Sequence, residues 1–246
     1  MGYEKSAKYY DLFGEKPDIH YYKELGMKYG AALEVGVGTA RVAVELAKTG
    51  VDVWGIDTSE EMLAVARKKA LQQPAEVQKR ITLVHADMTD FNLSKTFPLI
   101  YVPSSGLNHC ITTEDQLNCL TCVYDHLEDD GLFVFDLELP SPDYKRALTL
   151  IEKEQVGDKM ILRWILNDPD YREHVLHITL IFEEYHQQKL RERIVEMSTV
   201  SLIYKRELLL LLEKANFKVQ KMYGDFQKSE QVTDLLVVEA GKLKRP

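Results

Sequence analysis

The sequence predicts an α/β fold: a doubly wound, mostly parallel sheet of seven strands that carries an inserted antiparallel β cap. One observation is the run Ala31-Ala32-Leu33-Glu34-Val35, which leads into Gly36-Val37-Gly38, a helix-like pattern, and a second apolar run, Val51 to Ile56, closed by Asp57. Another is that strand-like and helix-like segments keep alternating as far as Gly131 to Leu137. That last run is almost continuously apolar, as suits a strand buried on both faces of a parallel sheet. The third is a change of rhythm after Pro140 and Pro142, where period-two alternation takes over until Ile203 and the α/β pattern then resumes.

Residues Tyr3 to Tyr29 read as helical, broken near Gly14 and restarted at Pro17, a residue suited to a first helical turn. Tyr9, Tyr10, Leu12 and Phe13, then Ile19, Tyr22, Leu25 and Met27, are expected to pack on the core; the Tyr9-Tyr10 pair also stands where a lid would close. Strand one is Ala31 to Val35, and a helix from Thr39 to Thr49 stops at Gly50. Strand two is Val51 to Ile56. Thr58-Ser59-Glu60-Glu61 reads as a capping box, Thr58 with Glu61, for a helix that buries Met62, Leu63, Val65 and Ala66. Strands three and four are Ile81 to His85 and Leu99 to Val102, the latter followed by the loop Pro103 to His109. A helix opened by Thr113 with Gln116 turns Leu117, Leu120, Tyr124 and Leu127 inward before strand five.

The cap reads as three strands, Met160 to Asn167, His174 to Glu184 and Leu190 to Ile203, with breaks at Asn167 to Asp170 and Tyr185 to Lys189. Tyr204 to Ala215 is a helix with Asn216 as a left-handed cap, and Phe217 to Tyr223 and Thr233 to Ala240 are strands. The expected organisation is a helical lid over 1–30, a core over 31–140 and 204–246, and the cap over 141–203.

Composition narrows the function. At 246 residues, 45% hydrophobic and 28% charged, the chain fits one large domain or a domain with an insertion. A net charge of -8 disfavours nucleic acid as the main partner, since phosphate binding needs a basic surface. The longest apolar run, Leu208 to Leu212, is far short of a membrane span. The first residues lack the apolar core of a secretory signal, and Gly2 with Ser6 is a poor myristoylation match because Tyr3 and Glu4 intervene. An odd number of cysteines, three, points to a reducing cytoplasm. A monomer or homodimer is expected.

The strand–turn–helix–strand unit with Asp57 at its tip is a cradle for an adenosine-containing cofactor. Gly36 and Gly38 let the backbone turn and approach the ligand, and Asp57 is placed for the ribose hydroxyls. A dinucleotide would ask for a third glycine where Arg41 stands, so that the helix packs close beside a pyrophosphate. Glu34 is more useful beside a ligand ammonium than beside a phosphate. Cys119-x-x-Cys122 with His126 has metal-like spacing but lies within one helix and lacks a second ligand pair, so ordinary semi-buried residues are expected and no metal.

Over Ala31 to Leu137 and again from Tyr204 to Ala240, the chain resembles the class I S-adenosylmethionine-dependent methyltransferases, which have a Rossmann-like fold. Glu34 precedes Gly36 and Gly38, and Asp57 is followed by Ser59-Glu60-Glu61-Met62-Leu63. Asp87-Met88 follows strand three, and strand five reads Gly131-Leu132-Phe133-Val134-Phe135-Asp136. Ala40 replaces the last glycine of the usual Gly-x-Gly-x-Gly; with helical backbone angles the added methyl leaves binding intact. The resemblance implies S-adenosylmethionine as cofactor. It would be held by Glu34, Gly36, Gly38, Arg41 and Asp57, by Thr58, Met62, Asp87 and Met88, and by Tyr9, Pro103 and Ser104.

The methyl would point beyond strand four, toward Ser104, Ser105, Asn108 and His109. Small-molecule enzymes of this class with an antiparallel sheet after strand five, of glycine N-methyltransferase and aminosugar N,N-dimethyltransferase type, resemble this architecture. The latter carry a Ser-Ser…His segment, with the histidine one residue earlier than here. His109, Asn108 and Tyr10 are therefore the candidate catalytic residues, against a purely helix-capping role for Asn108 and His109. The expected activity is methyl transfer to N, or O, of a small molecule. The alternatives are a peptide or protein side-chain methyltransferase, and a non-catalytic binding or assembly protein that keeps the fold. In the cap, Arg163, Trp164, Arg172, His174, His177, Arg191 and Arg193 include residues able to meet an anionic or planar acceptor, on a face that the imperfect alternation leaves open.

Overall fold

The computed structural model describes residues 4–14 and 16–243; Tyr3, where the helical reading begins, and Gly2 of the lipidation reading lie outside them. Among the described residues, β1 (Ala31–Val35), β2 (Asp52–Asp57), β3 (Ile81–His85), β4 (Phe97–Val102) and β5 (Leu127–Glu138) pair in parallel. With β10 (Phe217–Tyr223) and the antiparallel β11 (Leu235–Lys242) they form a seven-stranded sheet in the order β10-β11-β5-β4-β1-β2-β3. The order reverses between β1 and β4, and a crevice opens at the carboxyl ends of strands on either side of such a reversal.

Helices cover both faces. Tyr21 and Tyr22 of α1 (Asp18–Tyr29), Val42 and Leu46 of α2 (Arg41–Ala47), and Leu63 and Ala66 of α3 (Glu60–Leu71) pack on one side. A short α4 (Ala75–Gln78) leads into β3. Cys119, Leu120 and Val123 of α5 (Thr113–His126) pack on the other side with Leu208, Leu211 and Leu212 of α6 (Lys205–Lys214).

Several boundaries move from the sequence reading for identifiable reasons. The helix expected from Thr39 begins at Arg41, because Ala40 does not take helical angles: its φ is 58°, in the left-handed region. The Thr58–Glu61 capping box shifts by one residue, Ser59 Oγ accepting from the Met62 N–H at 3.2 Å. The next helix is likewise capped by Thr112, on the Asp115 N–H, and Gln116 turns inward instead. Asn216, at φ 61°, adopts the expected left-handed conformation.

The cap is a separate antiparallel sheet of four strands, β6 (Thr149–Val156), β7 (Lys159–Asp170), β8 (Val175–His186) and β9 (Lys189–Ser201). The sequence reading misses β6, whose Glu152, Lys153, Glu154 and Gln155 break the apolar alternation. It also ends β7 too early: Asp168-Pro169-Asp170 stays in the strand, where β6 no longer pairs alongside, so the missing proline N–H costs no ladder bond.

Between the cap and the core runs a strap, residues 4–14, with a 3-10 turn over Ala7–Leu12. Tyr9 and Phe13 bury against Ile161, Leu180 and Phe182 of the cap. Asp11 accepts from Thr39 Oγ1 at 2.9 Å and from Lys69 Nζ at 2.6 Å, which ties the strap to the core.

Candidate active site

The donor end is built from the tips of β1 and β2. Gly36 and Gly38 adopt φ of 75° and 52°, which glycine reaches without the clash a side chain would meet. The Asp57 carboxylate clamps this turn: Oδ2 accepts from the Gly38 N–H and Oδ1 from the Ser59 N–H, both at 2.8 Å. Glu34, 2% exposed, forms part of the cavity floor and accepts from Tyr101 Oη at 2.9 Å. Burial pushes its carboxyl up to about 8, against the Tyr101 hydrogen bond and the nearby Arg41 charge that favour ionisation.

The far wall is the loop after β4. Ser104 and Ser105 both take left-handed angles and aim their N–H groups at Asp136, at 3.0 and 2.7 Å. Tyr22 Oη donates to the same carboxylate at 2.8 Å, so the end of β5 fixes both the loop and α1. Burial raises the Asp136 carboxyl to about 6 despite these donors. Arg41 reaches the cavity but is held in a two-pronged pair by Asp18, with one further bond to Ser104 Oγ at 3.0 Å. Tyr10 of the strap roofs the space, and His109 closes its end. Burial lowers the His109 pKa, so the ring is uncharged at neutral pH.

Together these surfaces line one partly open cavity. Of the residues expected at the donor, Glu34, Gly36, Gly38, Arg41, Asp57, Thr58, Met62, Met88, Pro103 and Ser104 line it. So do Tyr10 and His109 of the expected catalytic group.

Three expected residues stand elsewhere. Tyr9 faces the cap, its Oη 2.9 Å from both Glu184 Oε2 and Glu192 Oε2, which share its one proton. Asn108 is buried, and its Nδ2 donates to the Ser201 carbonyl at 2.7 Å, joining the His109 turn to β9. Asp87 lies between the wall residues Ala86 and Met88, but its carboxylate accepts from the Thr89 N–H and Oγ1. His126 spends both ring nitrogens on the backbone, at the Leu93 N–H and the Cys122 carbonyl. The cap's Arg163 and Arg193 are paired with Glu152 and Glu183.

The sequence reading overlooks Asp11, Asp18, Tyr22, Tyr101 and Lys69 as supports of this site. Each acts on a partner distant in sequence, and none sits in a local motif. Asp136 ends a quoted motif, yet its task is visible only in three dimensions.

Comparison with known proteins agrees with this geometry. Residues 32–131 match the methyltransferase domain family. The chain carries a methyltransferase domain of the S-adenosylmethionine-dependent kind. A relative from Geobacillus sp. (strain WCH70), named as a methyltransferase, is 33% identical over 148 residues, 56% of this chain and 58% of that protein. The chain spans 42–66% of the length of the first curated relatives it matches. The structure of the CcbJ methyltransferase from Streptomyces caelestis shares the fold with a TM-score of 0.82 at 21% identity, over 97% of this chain and 96% of that one. CalS10 from Micromonospora echinaspora, an amino pentose methyltransferase solved with S-adenosylmethionine, does so with a TM-score of 0.74 at 16% identity, over 96% and 95%.

The methyltransferase cavity fits this cofactor. A β-carbon on Gly36 or Gly38 would project toward Met88 or Met62, into the cradle. Glu34 offers a buried carboxylate for the cofactor's ammonium, and Asp57 keeps lone pairs for the ribose hydroxyls beyond those it gives the backbone. Among the described residues no helix is long and apolar enough to cross a membrane.

Proposed function

We propose that this methyltransferase moves a methyl group from S-adenosylmethionine to a nitrogen of a small-molecule acceptor, with His109 receiving the acceptor's proton. When bound, the cofactor supplies a methyl on a positively charged sulfur, activated for in-line displacement by a lone pair. The observation that carries the reading is an uncharged, half-buried imidazole on the cavity wall, in the loop beyond β4 where the methyl would point. A neutral imidazole has one unprotonated ring nitrogen and becomes a cation on taking the proton, which the nearby Asp57 charge favours.

The other residues act by position. Glu34 and Asp57 anchor the donor. Asp136 sets the Ser104-Ser105 turn, and Asn108 holds the His109 turn against the cap. Orientation and exclusion of water then contribute most of the acceleration. The strap across the mouth favours a small acceptor over a peptide chain, and the likeness to CalS10, an amino pentose methyltransferase, supports an amine. A reducing cytoplasm suits the three free cysteines.

The test is His109→Ala, assayed on an amine that wild type methylates in a product-detection screen. Turnover should fall by about 10²- to 10⁴-fold while calorimetric affinity for S-adenosylmethionine stays within about threefold. Full turnover with normal cofactor binding would exclude the role.

A further inference from the structure

The strap-facing side of the cap can be laid out row by row from its register. Nearest the core the row is Pro169, Leu176 and Val200; the next is Asn167, Ile178 and Ser198; the third is Ile165, Leu180 and Glu196. Beyond these the rows carry Phe182 and Ile161, where Tyr9 and Phe13 of the strap pack. Two bonds fix this face beside the donor cavity. Asn108 joins the end of β9 to the turn that carries His109, and the Lys5 N–H donates to Glu196 Oε1 at 2.6 Å, one residue from Glu4 of the cavity wall. The second and third rows therefore lie between the strap contact at Lys5 and the Asn108 contact at Ser201.

Five buried polar side-chain atoms in this layer have no hydrogen-bond partner: Glu196 Oε2, Asn167 Oδ1, Ser6 Oγ on the strap and, one row further from the core, Arg163 Nε and Glu152 Oε2, which belong to one ion pair. Glu196 is 6% exposed and Ser6 1%. Buried polar atoms are nearly always paired, and a carboxylate oxygen left without a donor is costly. Glu196 Oε2 and Asn167 Oδ1 accept only, so what satisfies them must donate. Among the described residues, Lys8 is paired with Glu192, Lys159 with Glu184 and Arg163 with Glu152, although Arg163 Nε itself has no hydrogen-bond partner.

We infer that Glu196 and Asn167, with Ser6 across from them, form the subsite that holds the body of the methyl acceptor. The acceptor carries hydroxyl or ammonium donors there and no carboxylate or phosphate. This rests on the small-molecule reading above. It sets an acidic residue against the expected basic or aromatic subset able to meet an anionic or planar acceptor, and makes Glu196 a specificity-determining residue.

The test uses the full chain loaded with S-adenosylhomocysteine, and titrates 3-amino-1,2-propanediol, butylamine and glycine by calorimetry. The same amines are then assayed for methylated product with S-adenosylmethionine. The hydroxylated amine should bind about tenfold tighter than butylamine or glycine. Glu196→Gln, which keeps a carbonyl for the Lys5 N–H, should abolish that preference, with S-adenosylhomocysteine affinity unchanged. In turnover the same variant should raise KM about tenfold with kcat within about twofold. Asn167→Ala is the second variant and should act in the same direction. Preference for glycine, no preference in wild type, or a preference that survives both substitutions would overturn the subsite. Selective binding of the hydroxylated amine without any methylated product would leave the subsite standing and sink the nitrogen-methylation reading instead.

Discussion

The donor cavity and the proposed acceptor subsite are built in opposite ways. The donor cavity is local: Glu34, Gly36, Gly38 and Asp57 lie within one strand–turn–helix–strand unit, and Asp57 bonds straight back to the Gly38 N–H. The proposed acceptor subsite is assembled from afar. The strap comes from the start of the chain, the His109 turn from its middle and the cap from beyond Pro142. Bonds such as Lys5 to Glu196 and Asn108 to Ser201 join them. A site of the first kind tolerates little change, because each residue serves both turn and ligand. A site of the second kind can be altered piece by piece.

Four experiments press on that contrast. The largest effect is expected from Asp57→Ala, which unclamps the Gly38 and Ser59 N–H groups and removes the ribose acceptor. Cofactor affinity should fall by about 100-fold or more in calorimetry, at roughly 1.5–3 kcal/mol per bond to a charged group. If affinity fell only slightly, the turn would owe its shape to the glycines alone.

Next comes Lys8→Ala combined with Tyr9→Phe, which cuts the strap from Glu184 and Glu192. Amide exchange over residues 4–14 should speed up and acceptor KM rise by roughly tenfold, with donor affinity almost unchanged. Equal losses at both would erase the distinction between the two sites.

Third is pH. Glu34 keeps its proton in the folded protein up to about 8, against 4.5 for an unperturbed carboxyl, so the native state binds more protons than the unfolded state between those values. Stability of the cofactor-free protein therefore falls as pH rises through that window. A cofactor ammonium favours the ionised carboxylate. The thermal shift on adding S-adenosylmethionine should thus be larger at about pH 8.5 than at about pH 6.5, and Glu34→Gln should flatten the difference.

The smallest effect is Ala40→Gly. Relief of a left-handed alanine, about 1–2 kcal/mol, is offset by loss of one buried methyl, about 0.8 kcal/mol. A rise in Tm of a few degrees at most is expected, with unchanged donor affinity.

The same contrast explains what was legible in the sequence. Glu34, the two glycines, Asp57 and Met88 announce themselves because strand, turn and ligand contact are consecutive there. Ala40 is the exception: its residue type suits a helix, and only the turn between Gly38 and Arg41 forces it to φ 58°. Tyr9 and Tyr10 are adjacent and alike, yet one points to the cap and the other into the cavity. That choice is made by Glu184 and Glu192, about 175 to 183 residues away in the chain. Strand β6 is hidden because Glu152 and Glu154, partnered across to β7, take positions on its strap-facing side that an alternating pattern reserves for apolar residues. Asp136 is visible as a letter in a motif, but not as the anchor of a turn formed 31 residues earlier.

The strap is fastened at once to Thr39 and Lys69 of the core and to Glu184, Glu192 and Glu196 of the cap. Tyr10, on that same strap, lines the donor cavity, so one short segment borders the core, the cap and the cavity at once.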